Sequence, residues 1–210
     1  MPIGRWVLRE GCRQAVAMQR AVPCDPPLTM AVNLSVKQLQ HSDIVADVRD
    51  ALADSGLDPA CLTLEITETV MMTDTDLAVQ RLKELKDLGV RLAMDDFGTG
   101  YSSLSYLSKF PVDILKMDRS FLRDDATPET AGLATAVVSL GETLNLEVVA
   151  EGIELSEQWA TLRDLGCDKG QGFYFARPMD SERVIEFLAT QDPAAPAPES
   201  PSEPPRADAP

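Results

Sequence analysis

The sequence of 210 residues has a single histidine, His41. No HExxH pair and no multi-histidine metal centre can be built from it. A Ser–His–Asp triad would need His41, which lies in the polar run LQHSD and reads as a surface or helix-start residue. The four cysteines, Cys12, Cys24, Cys61 and Cys167, are separated by 12, 37 and 106 residues and form no CxxC. That spacing excludes a zinc knuckle or thioredoxin-type site and fits scattered reduced thiols in the cytoplasm. No apolar run reaches 18 residues, so no membrane span is expected. The segment MPIGRWVLREGCRQ has neither the apolar stretch nor the small-residue cleavage site of a secretory leader. Positive charge is also short, with 19 Lys and Arg against 34 Asp and Glu, a formal charge of −15. A field of that sign repels polyanions, so nucleic acid is not an expected partner. A small anionic substrate stays open, because bound divalent cations can invert the local sign. Any hydrolysis must then use carboxylates, lysine, or a metal held by oxygen ligands.

What is present is ordinary for a globular chain: 44% hydrophobic and 25% charged residues. The exception is QDPAAPAPESPSEPPRADAP, which holds 7 of the 15 prolines. It has too little apolar surface to offset its ordering entropy, so 191–210 is expected to be a disordered tail after a domain spanning 1–190.

Within 1–190 strand and helix patterns alternate. Residues 4–20 read as a helix, LTMAVNLS (28–35) as a strand, and 43–54 as a helix with Ser42 as its N-cap and Gly56 beyond its end. CLTLEIT (61–67) reads as a strand, 76–88 as a helix closed by Gly89, and RLAMDD (91–96) as a strand. A loop and a short helical run, SSLSYLSKF, come next. DILKMD (113–118), EVVAE (147–151) and CDKGQG (167–172) read as strands, and 128–144, 155–165 and 181–189 as helices. Six strand-then-helix units imply a parallel sheet covered by helices. Periodicity leaves a doubly wound sheet and a (β/α)8 barrel both open.

The strands are apolar until their C-terminal ends. There stand, in order, Asn33, Glu65, Asp95 with Asp96, Lys116 with Asp118, Glu151, and Gln171. In a parallel barrel these ends converge on one mouth, where barrel active sites lie. An oxygen-donor set without histidine suits hard cations such as Mg²⁺ or Mn²⁺. Two such ions, held by the adjacent Asp95 and Asp96, could activate water for phosphodiester cleavage, with Lys116 neutralising developing charge. Acids that merely cap the following helices are the competing explanation.

The motifs NLS (33–35), EITE (65–68), DDFGTGYSSLSYL (95–107), KMDRSF (116–121), VVAEGIE (148–154) and QGFYFARPM (171–179), with the opening PIGRWVLREGCRQA, resemble the EAL domain family of bacterial cyclic di-GMP phosphodiesterases. The resemblance implies a TIM-type (β/α)8 barrel, hydrolysis of cyclic di-GMP to linear pGpG, and two bound Mg²⁺ or Mn²⁺ ions. It makes Asn33, Glu65 and Asp95 ligands of a first metal, and Asp95, Asp96 and Glu151 ligands of a second. It places Lys116 beside the nucleophilic water, gives Asp118 and Gln171 to substrate binding or support of the site, and gives Glu68 and 96–107 a role coupling the metals to a dimer interface. A homodimer is expected on the same ground. So is an N-terminal sensor or diguanylate-cyclase (GGDEF) domain, as many members carry. For Glu68, a plain helix-start carboxylate remains an equal reading.

One feature of the family is missing. The Glu-Ala-Leu motif that names it, with its metal-binding glutamate and the arginine after it, does not occur in these residues. About six βα units are present, and the chain is shorter than the ~250 residues typical of a full barrel. The expectation is a barrel lacking its first strands, with two open sheet edges. Met1 stands where the family has an apolar residue before Pro-Ile-Gly, so a longer frame is expected, with a genuine remnant as the alternative. An upstream segment, which could carry a membrane anchor, would then be needed for activity. The functional alternative is an inactive EAL-like receptor for cyclic di-GMP or a protein-interaction module.

Overall fold

The computed structural model describes residues 2–72, 75–98, 107, 109–122 and 128–190. The expected tail at 191–210, most of the 96–107 loop, Met1, and most of the SSLSYLSKF run lie outside the described residues.

Six strands form one parallel sheet: β1 (Met30–Asn33), β2 (Leu62–Thr67), β3 (Arg91–Phe97), β4 (Ile114–Met117), β5 (Glu147–Ala150) and β6 (Lys169–Gly170). They pair in the order β1-β2-β3-β4-β5-β6. A doubly wound sheet reverses its strand order at a switch point, and this sheet never does. Sequential order belongs to a barrel wall. Side chains converge on one face of it: Lys116 on β4 reaches Glu65 on β2 at 2.7 Å, and Arg91 on β3 reaches Glu147 on β5 at 3.0 Å, each pair spanning an intervening strand. The architecture is therefore an arc of a (β/α)8 barrel. Among the described residues, β1 and β6 each have a neighbour on one side only.

The helices are α1 (Pro2–Ala21), α2 (Val36–Leu39), α3 (Ile44–Ser55), α4 (Thr75–Lys86), α5 (Pro128–Leu144), α6 (Ser156–Asp164) and α7 (Ser181–Thr190). α1 packs on β1 and α3 and touches α7. Strand alternation divides the residues between two faces. Leu62, Leu64 and Ile66 of β2, Leu92 and Met94 of β3, and Leu115 and Met117 of β4 point outward and are fully buried. They form one cluster with Leu8 and Cys12 of α1, Val48 of α3, and Leu82 and Leu85 of α4. The concave face receives the other parity: Thr63, Glu65, Arg91, Asp95, Lys116 and Glu147.

Two local expectations are corrected. Ser42 does not cap α3. The N-cap is Asp43, whose side chain makes no capping bond, and Ser42 Oγ instead donates to Asp43 Oδ1 at 2.9 Å. The strand expected over 167–172 shrinks to Lys169–Gly170: Cys167 is buried with its thiol against the Val148 carbonyl, and the Gln171 carbonyl accepts the Ile153 N–H beyond β5. The one-turn helix α2 was not expected. It is held by a capping box in which Gln38 N–H bonds to Ser35 Oγ at 3.3 Å and Ser35 N–H to Gln38 Oε1 at 3.2 Å.

Candidate active site at the strand C-termini

Lys116 organises the mouth. It lies on β4, on the concave face, and is 5% exposed. Nζ lies 2.7 Å from Glu65 Oε1, 2.7 Å from Glu151 Oε1 and 2.9 Å from Asp95 Oδ1. Burial alone would lower the pKa of this ammonium. The bonds to Glu151 and Glu65 and the contact with Asp95 outweigh burial and hold it well above the ordinary lysine value.

Asp95 and Asp96 are adjacent, and a regular strand would send them to opposite faces. The β3–β4 register breaks here. Met94 pairs with Leu115 and Phe97 with Met117, so two aspartates oppose the single residue Lys116. This is a β-bulge, and Asp96 takes the left-handed conformation, φ +55°, found in one class of bulge. The bulge brings both carboxylates toward Glu151, which follows β5. One oxygen from each of Asp95, Asp96 and Glu151 lies within 4.8 Å of the others.

This cluster is crowded with negative charge. Glu65, Asp95 and Glu151 share the Lys116 ammonium, and Asp96 adds a fourth carboxylate beside them. Burial, then the charges of Asp95 and Asp118, push the Asp96 pKa up. Burial, then Asp95 and Glu65, push Glu151 up against the pull of Lys116. Asp95 Oδ1 is buried, and among the described residues the Lys116 ammonium at 2.9 Å is its one polar neighbour. A buried anionic oxygen held by a shared ammonium, beside two carboxylates whose pKa values are raised, is an environment that a hard divalent cation would satisfy. The donor set fits Mg²⁺ or Mn²⁺.

The remaining expected residues stand at or beyond the ends of neighbouring strands. Asn33 ends β1, exposed, in register with the buried Glu65, and the next residue, Leu34, donates its N–H to Glu65 O at 2.7 Å. Asp118 follows β4. Its Oδ1 accepts the Ser120 N–H at 2.9 Å, and such bonds, with Arg119 nearby, outweigh burial and lower its pKa. Gln171 follows β6, exposed, with its N–H on Ala150 O and its carbonyl accepting the Ile153 N–H. Glu68 is 8% exposed and does more than begin its own turn. Its Oε2 accepts the Gly98 N–H at 3.3 Å, tying the end of β2 to the end of β3.

Sequence reasoning missed the opposite end of the concave face. Arg91, Glu147 and Lys169 form a chain of ion pairs at 3.0 and 2.9 Å across β3, β5 and β6, beneath the site. The alternation in RLAMDD and EVVAE carried a signal for these residues, since Arg91 shares parity with Asp95, and Glu147 with Glu151.

The family profile of the EAL domain matches residues 1–178. The chain belongs to the EAL domain family. It is 44% identical over 188 residues to the bifunctional diguanylate cyclase/cyclic di-GMP phosphodiesterase MucR of Pseudomonas aeruginosa, covering 89% of this chain and 27% of that protein. It is 42% identical over 184 residues to the cyclic di-GMP phosphodiesterase NbdA of the same organism, covering 87% and 23%. Among solved structures it resembles the MucR phosphodiesterase in complex with cyclic di-GMP, with a TM-score of 0.82 and 43% identity over 87% of this chain and 74% of that one. It also resembles the manganese and cyclic di-GMP complex of BlrP1 from Klebsiella pneumoniae, with a TM-score of 0.71 and 36% identity over 83% and 45%. The chain thus spans about a quarter of the length of the curated relatives it matches.

Proposed function

We propose that this chain is a cyclic di-GMP phosphodiesterase domain that opens one phosphodiester bond to give linear pGpG, using two Mg²⁺ or Mn²⁺ ions. The observation that carries the reading is the bulge that gathers one oxygen each of Asp95, Asp96 and Glu151 within 4.8 Å of one another. The naming of MucR and NbdA as cyclic di-GMP phosphodiesterases supports the substrate.

Asn33, Glu65 and Asp95 would hold one ion, and Asp95, Asp96 and Glu151 the other. When bound, such ions polarise the phosphoryl oxygens and the attacking water. Lys116, fixed by three carboxylates, orients that water and offsets the charge developing on phosphorus. Asp118, fixed by the Ser120 N–H, supports the site from β4. Gln171 stands at the open rim, where it can contact the nucleotide. A homodimer and a GGDEF or sensor domain in the same polypeptide belong to this proposal. So does a cytoplasmic location, which the four unpaired cysteines favour.

The test is incubation of the protein with cyclic di-GMP and Mn²⁺ or Mg²⁺, with products separated by chromatography. Cation-dependent appearance of pGpG is expected, abolished by chelation. The absence of the Glu-Ala-Leu motif makes a paired assay informative, with an extended polypeptide that supplies the motif upstream of Met1. Turnover by the extended form alone would assign the upstream segment a catalytic part. Nucleotide binding without cleavage by both forms would replace the enzyme reading with a receptor.

A further inference from the structure

Asp95 and Asp96 belong to β3, and Glu151 comes directly after β5. These strands do not pair, because β4 lies between them. β4 leads into a single helical turn, Arg119–Leu122. Phe121 of this turn packs on Gly98, two residues beyond Asp96, so closely that a β-carbon on Gly98 would clash with the edge of the ring. On its other side, the root of the Arg119 side chain packs equally closely on Gly152, the residue after Glu151. Both glycines have positive φ, +96° and +68°, so the backbone is turned to admit the contacts. One turn therefore abuts the chain beside both halves of the carboxylate cluster.

The turn is held at both ends. Asp118 Oδ1 takes the Ser120 N–H at its start. At its end, the half-buried Gln158 of α6 donates from Nε2 to Leu122 O at 2.9 Å. The Oε1 of the same amide accepts the N–H groups of Glu154 at 2.8 Å and Leu155 at 3.0 Å. One side chain thus joins the turn after β4 to the segment after β5. A helix cap alone would need only the acceptor half of that amide.

We propose that the Arg119–Leu122 turn, clasped by Gln158, is the spacer that sets the gap between the β3 and β5 carboxylates, so that Gln158 and Phe121 are positioning residues for cation binding. The link to cations rests on the phosphodiesterase reading; the spacer itself does not.

Gln158→Glu separates the clasp from the cap. It keeps both acceptor bonds of α6 but removes the donor and sets an oxygen against the Leu122 carbonyl. Two measurements on the full 210-residue chain are compared with the unsubstituted protein. The first is amide hydrogen exchange without metal. Faster exchange is expected at 95–98 and 150–153, with α6 unchanged. Acceleration confined to 119–122, or none, overturns the spacer. The second is Mn²⁺ affinity by electron paramagnetic resonance. A loss of about tenfold is expected, the scale of disturbed support around metal ligands. Unchanged affinity overturns the positioning role. If the unsubstituted protein binds no Mn²⁺, the phosphodiesterase reading falls while the exchange pattern still decides the spacer. If Gln158→Glu does not fold, Phe121→Leu carries the same expectations, since it stays apolar but withdraws the ring from Gly98.

Discussion

Asp96 and Glu151 bear the cost of burial beside other carboxylates, and their titration makes that cost measurable. A carboxylate whose pKa is raised on folding keeps its proton longer in the folded chain, so stability falls as pH rises from the unfolded value, near 4.5 for Glu151, through the raised one. Replacing Glu151 with Gln removes that titration. The difference in unfolding free energy, variant minus parent, should increase over this interval in metal-free buffer and level off above it. Asp96→Asn tests the same cost at a partly solvated position. Asn tolerates the left-handed backbone as well as Asp does, so the metal-free variant should be at least as stable as the parent in denaturant titration. Catalysis should nevertheless fall by about 10²-fold or more, the scale of losing a charge-stabilising group. Greater stability with unchanged activity would remove Asp96 from the site. The candidate residues were legible because each stands where an apolar run stops. The bulge that aims Asp96 was not, because a register break is a property of two strands separated by the whole β3–β4 connection.

At the scale of elements, the concave face has two polar layers with different tasks. The lower one, Arg91–Glu147–Lys169, staples β3, β5 and β6. Burial would raise the Glu147 pKa, but hydrogen bonds from Lys169 and Arg91 outweigh it and lower it. Its contribution to stability is therefore present above the ordinary carboxylate range and lost as pH falls through the depressed value. Glu147→Leu should cost about 1–3 kcal/mol by denaturant unfolding at neutral pH, because Arg91 is left half-buried and unpaired. Arg91→Leu combined with Glu147→Leu should recover much of that loss. A double variant as unstable as the sum of the single ones would mean the layer is packed rather than paired. Helix limits were read closely from sequence, and α5 was expected over its observed range, 128–144. Polar contacts between elements were not: the partners Arg91 and Glu147 are 56 residues apart, and neither residue alone names the other.

For the whole molecule, coupling between folding and cation binding is the expected signature of a site built from four carboxylates on three strand ends. A ligand that binds only the folded state adds about 2.7 kcal/mol at a hundredfold excess over its Kd. Mn²⁺ should therefore raise the thermal unfolding midpoint of the parent, and should move Asp95→Ala far less. An equal shift in both would place the bound ion elsewhere. Composition and periodicity reached a helix-covered parallel sheet, yet left barrel and doubly wound sheet undecided, because strand order is written in long-range pairing and not in local pattern. That order has a consequence for synthesis. Among the described residues each strand bonds only to its predecessor and successor, with partners between 20 residues apart (Val149 with Lys169) and 33 (Ile114 with Glu147). None of these six pairings waits for a distant strand to be made. The sheet can grow in the direction of translation as each strand clears the ribosome, and a product stalled after β4 would already carry β1 to β4 joined edge to edge.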